Sequence, residues 1–100
     1  MKVSFVQSGG YAGLIRGCEL NTGLLDPQAA RELERLVASS GISASGEFLS
    51  ESGRDLRQYE LTIEKADRKI SVTFDDETAP RSVRPLLSYL NKRSRPKALE

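Results

Sequence analysis

A chain of 100 residues, 38% hydrophobic and 29% charged, has the composition of one soluble globular domain with a single modest core. Its 15 basic and 14 acidic residues leave a net charge of +1, which gives no argument for a nucleic-acid or membrane partner. One cysteine and no histidine exclude an internal disulfide, a zinc site of clustered Cys and His ligands, and any nucleophile that needs an imidazole base.

Lys2 to Gln7 alternates as a strand, with Val3 and Phe5 on one face. Ser8-Gly9-Gly10-Tyr11-Ala12-Gly13 follows, with three glycines and an aromatic in six residues. Glycine reaches backbone conformations closed to other residues and lets another chain approach closely. An amphipathic ring at the tip of such a loop is a candidate anchor for a partner. The competing structural reading is a wide hairpin turn with Tyr11 folded back onto the sheet. A phosphate-cradling loop needs a helix directly after its glycines, and here a strand follows. Gly13 to Thr22 is that strand, with Leu14, Cys18 and Leu20 on one face and Arg16 interrupting it. Cys18 on the apolar face reads as a buried structural residue.

Asp26-Pro27 starts a helix, Asp as N-cap and Pro at the first helical position. It runs to about Ser39, with Ala29, Ala30, Leu33, Leu36 and Val37 on the buried face and Gly41 as the stop. Ile42 to Arg54, rich in serine and glycine, reads as a long loop anchored by Phe48 and Leu49, with room for a short strand at its centre. Asp55 to Glu64 and Arg68 to Asp75 form the clearest hairpin, alternating through Tyr59, Leu61 and Ile63 and through Ile70, Val72 and Phe74. Asp75-Asp76-Glu77 reads as an acidic turn, because consecutive carboxylates at a strand end rarely converge on a cation. A last helix runs from near Ser82 to about Lys92, with Val83, Leu86, Leu87 and Leu90 as its apolar stripe and Pro85 tolerated in the first turn. From Thr78 onward six basic residues face one acid, Glu100, which reads as a solvated helix face.

The order ββαββα predicts an α+β fold: a four-stranded antiparallel sheet with two helices on one face. Residues 1–92 form the single domain, and 93–100 form a basic tail expected to be mobile. The amino terminus holds no apolar stretch long enough for a signal peptide or a membrane span, so a cytoplasmic protein is expected.

The chain resembles the emfourin family, small bacterial inhibitors of thermolysin-like zinc metallopeptidases of the protealysin group. The match rests on Lys2-Val3-Ser4-Phe5 leading into Ser8-Gly9-Gly10-Tyr11-Ala12-Gly13, the most distinctive piece. It continues through Glu32-Leu33-Glu34-Arg35-Leu36-Val37, Tyr59-Glu60-Leu61-Thr62-Ile63, Phe74-Asp75-Asp76, and Val83-Arg84-Pro85-Leu86-Leu87 with Tyr89-Leu90. The resemblance implies an inhibitor, not an enzyme, that needs no cofactor and blocks the peptidase's active-site cleft. Such peptidases hold an apolar pocket just past the scissile bond, and the partner-binding residues would be Ser8, Gly9, Gly10, Tyr11, Ala12 and Gly13, with Tyr11 filling that pocket. A monomer is expected rather than a dimer. The alternative, from a different class, is a non-inhibitory protein–protein interaction module. It would use a sheet edge or the 42–54 loop.

Overall fold

The computed structural model describes residues 1–9, 15–51 and 56–96. The strands are β1 (Lys2–Gly9), β2 (Arg16–Asn21), β3 (Gly46–Phe48), β4 (Arg57–Lys65), β5 (Arg68–Asp75) and β6 (Arg95–Pro96). The helices are α1 (Pro27–Ser39) and α2 (Arg84–Lys92), with a one-turn 3-10 helix at Thr22–Leu24. The expected four-stranded antiparallel sheet in the order ββαββα is corrected. The sheet has six strands in the spatial order β3-β5-β4-β1-β2-β6, and it is mixed, because β3 lies parallel to β5.

The physical reasons for the difference are local. β3 is three residues long, too short for alternation to register, and it sits in a Ser/Gly-rich segment. β3 joins β5 in parallel with β4 intervening in the chain, a pairing that no hairpin signal announces. β6 is two residues long and contains Pro96, so no periodicity marks it. It pairs with β2 through Arg16–Pro96 and Gly17–Arg95.

Pairing places Phe5 between Cys18 and Leu61, and Val3 between Leu20 and Ile63. Leu61 in turn faces Val72, and Tyr59 faces Phe74. These side chains share one face of the sheet because a strand alternates with period two. Leu33 of α1 and Leu86, Leu87, Tyr89 and Leu90 of α2 close the same core, each 9% exposed or less. The other face carries Ser4, Val6, Glu19, Glu60, Thr62, Ser71 and Thr73. No helix of the described residues is long and apolar enough to cross a membrane.

Local chemistry sets the helix ends. The Asp26 carboxylate accepts from the amides of Gln28 and Ala29, both at 3.0 Å, and Pro27 follows where no amide is needed. Gly41 takes φ +76° and ends the path of α1. Ser82 Oγ donates to Ser40 O at 2.9 Å, tying the end of α1 to the approach of α2. At the sheet edge the Phe48 ring stacks on Phe74 (centroids 5.6 Å apart) and lies across Gly46, where an added Cβ would stand 2.7 Å from its Cζ. Gly46→Ala is therefore expected to swing Phe48 off Phe74 and cost about 1 kcal/mol. A thermal melt reads this as a drop of several degrees, and an unchanged melting temperature would contradict it.

Candidate functional site

The end of β1, the end of β3, the start of β4 and the β5–α2 turn meet at one end of the sheet. Of the predicted binding residues, Ser8 and Gly9 are the last two of β1, paired with Gln58 and Arg57 of β4. Gly10, Tyr11, Ala12 and Gly13 lie outside the described residues. Gly9 adopts φ +78°, and a Cβ there would stand 2.9 Å from Leu56 O. This glycine is thus required by the backbone where the loop departs, independently of any partner.

Beside that departure point the strand ends are locked by two adjacent carboxylates with separate duties. Asp75, 2% exposed, accepts from the amides of Glu77 and Thr78 on Oδ1, both at 2.8 Å, and from Ser50 N on Oδ2 at 2.6 Å. The backbone hydrogen bonds, Ser50 foremost, hold its carboxyl well below the usual carboxylate range despite burial. Thr78 reinforces the same corner: its Oγ1 accepts from Asp75 N at 2.9 Å and donates to Phe48 O. Asp75 thereby fastens the exit of β3 to the β5–α2 turn.

Asp76 serves the neighbouring strand. Its Oδ2 accepts from Arg57 N at 2.9 Å and Arg57 Nε at 3.4 Å, and its Oδ1 accepts from the Tyr59 hydroxyl at 2.5 Å. Burial opposes its charge, but the hydrogen bonds from Tyr59 and Arg57 outweigh it and hold the carboxyl below its ordinary value. Arg84 Nη2 donates to Asp76 O at 3.4 Å, linking α2 to the cluster. Burial, then the bond to Asp76, pushes the Tyr59 phenol up to about 12. The folded protein holds this phenol neutral, so its contribution to stability is full below pH about 10 and is lost as pH rises towards 12. An ultraviolet titration is expected to show one tyrosine ionising near pH 12, absent in Tyr59→Phe. A titration identical for the two proteins would remove Tyr59 as its source.

With their oxygens taken by N–H and O–H donors, these carboxylates act as clamps of loop ends rather than as an acid–base pair. Cys18 Sγ–H points into the fold, donating to Leu90 O at 3.5 Å.

Sequence reasoning missed one exposed feature. Leu24 is 86% exposed, against 50% for Phe48 and 38% for Leu49. It rides on the 3-10 turn, whose Gly23 N donates to Asn21 Oδ1 at 2.9 Å. The amino terminus braces the same turn, Met1 N donating to Thr22 Oγ1 at 3.0 Å and Thr22 N to Met1 O at 2.9 Å. The available signal was the pair Leu24-Leu25 ahead of the Asp26 cap. One leucine before an N-cap can staple down onto the core, and Leu25 packs against it. The other is left outside.

The family model described as Emfourin matches residues 5–91, from within β1 into the last turn of α2. No curated protein and no solved structure gives a significant match.

Proposed function

Since this chain belongs to the emfourin family, a family of metallopeptidase inhibitors, we propose that it inhibits a thermolysin-like, protealysin-type zinc metallopeptidase by occupying its active-site cleft. The observation that carries this reading is the family match, which takes in five of the six strands' neighbourhood and both helices rather than one motif. The target would supply the zinc, and the inhibitor would supply shape. The loop of Ser8, Gly9, Gly10, Tyr11, Ala12 and Gly13 is the proposed insert, one monomer per peptidase. Its base is held by Gly9 against β4 and by the Asp76–Tyr59–Arg57 cluster. A fixed base lowers the ordering cost of binding and resists bending of the loop into a cleavable geometry.

A second reading of the inserted residue is favoured by the exposure of Leu24. An apolar side chain on a braced turn suits an apolar pocket at little entropic cost. Leu24 and the point where the glycine loop leaves β1, at Gly9, are at opposite ends of that strand, separated by its eight residues, about 23 Å. Only one of them can enter the pocket beside the scissile bond.

Competition with a small hydroxamate bound at the peptidase zinc tests the reading. Displacement of the hydroxamate supports occupation of the cleft. A ternary complex would favour the non-inhibitory interaction module instead.

A further inference from the structure

Leu24 and an apolar hollow stand at the same end of the sheet. The pairs Lys2–Asn21, Lys2–Glu64 and Glu64–Lys69 place the start of β1, the end of β2 and the β4–β5 turn in one row. Leu24 follows β2 on the 3-10 turn and is 86% exposed. The hollow, about 470 Å³, lies between the last turns of α1 and the β4–β5 turn. Met1, Val37, Ile42, Ile63 and Ile70 are its apolar walls. Met1 connects the two features: it lines the hollow, and its carbonyl oxygen accepts from Thr22 N, two residues before Leu24.

A lone exposed leucine is ordinary on a protein surface. What sets this one apart is that the same chain carries a fitting hollow at the same end. A projection and a hollow placed in this way can be exchanged between two copies related by a two-fold axis, each filling the other. Charge does not oppose the approach. The rim of the hollow holds Glu34, Asp67, Lys65 and Arg68, two of each sign, and the net charge of the chain is +1. Two copies therefore repel only weakly.

We propose that this end of the sheet is a self-association surface, with Leu24 of each copy entering the hollow of the other. A second copy suits the hollow better than a small apolar ligand, because Leu24 is already ordered on a braced turn and is present at the same concentration as the hollow. Such a contact is small, and small interfaces are weak. The monomer expected from the sequence is then the dilute form, and the dimer forms as the chain is concentrated. The proposal holds whether or not the chain inhibits a peptidase. Where Leu24 is the inserted residue, pairing and inhibition exclude each other.

The test is sedimentation equilibrium from about 10 μM to about 1 mM, the range in which small interfaces dissociate. The parent is expected to rise in weight-average mass from one chain towards two. Leu24→Asp puts a charge where an apolar side chain enters, and should keep the mass at one chain throughout. Ala38→Phe, at an exposed position on the wall of the hollow, fills it and should do the same. Each variant lacks a different half of the exchange, so the two are complementary. Unlabelled Ala38→Phe, added at about 1 mM to isotope-labelled Leu24→Asp, should shift the amide resonances of Asp67 and Arg68 beside the hollow. A parent that stays at one chain at the highest concentration, a dimer that persists in Leu24→Asp, or a mixture without those shifts overturns the proposal. Growth beyond two chains overturns it as well, because a head-to-tail contact that does not close continues to add copies.

Discussion

Asp75→Ala is expected to lower the melting temperature by on the order of 10–20 °C. Three backbone amides from two chain connections end on this one buried carboxylate. Charge-assisted bonds of this kind are stronger than neutral ones, and alanine leaves all three donors without that acceptor. The wild-type protein should also lose stability in acid. The folded carboxyl is held below its unfolded value of about 3.8, so its contribution is present above that value and is lost as pH falls through it. The decline begins just below pH 5 and continues beyond the unfolded value. Asp75→Asn is the informative control, since an amide oxygen can serve the Glu77 and Thr78 amides, but the NH2 then faces the Ser50 amide. It should melt between alanine and wild type, with a weaker acid dependence. Equal melting temperatures for Asp75→Ala and wild type would remove Asp75 as the clamp of this corner.

The second large effect concerns the inserted residue. Of Tyr11→Ala and Leu24→Ala, one is expected to weaken inhibition by about 2 kcal/mol, roughly 30-fold. The other should change it by less than about threefold, because a contact outside the buried centre of an interface contributes little. Loss with Tyr11→Ala supports the glycine loop as the insert. Loss with Leu24→Ala moves the insert to the turn between β2 and α1. Leu24 is 86% exposed and belongs to no core contact, so its substitution should leave the melting temperature unchanged. That separates lost contact from lost fold. Both variants within threefold of wild type would exclude either residue as the anchor.

Much of this architecture is legible from residue patterns because the central strands are long. Val3 and Phe5, Tyr59 through Ile63, and Ile70 through Phe74 each alternate for enough residues to show a buried face, and all of these but Ile70 lie in the core. Asp26-Pro27 carries a complete start signal within two residues, and α1 begins there. What stayed hidden is non-local. The place of β1 between β2 and β4 depends on which hairpins meet, and no local pattern encodes that. β3 and β6 are too short for periodicity and gain their pairing from neighbours already in place. The duties of Asp75 and Asp76 also escape a linear reading. Their partners Ser50 and Tyr59 are 25 and 17 residues away. In the candidate site, the composition of the glycine loop drew attention to residues 8–13, whereas the exposure of Leu24 depends on which of two adjacent leucines turns inward.

The most direct measurement is titration of the intact protein into a protealysin- or thermolysin-type peptidase, following hydrolysis of a small fluorogenic peptide. The inhibitor account predicts stoichiometric loss of activity, one chain per active site, with the chain recovered uncut on a gel. Full activity at a molar excess of the chain, across several peptidases of this type, would contradict it.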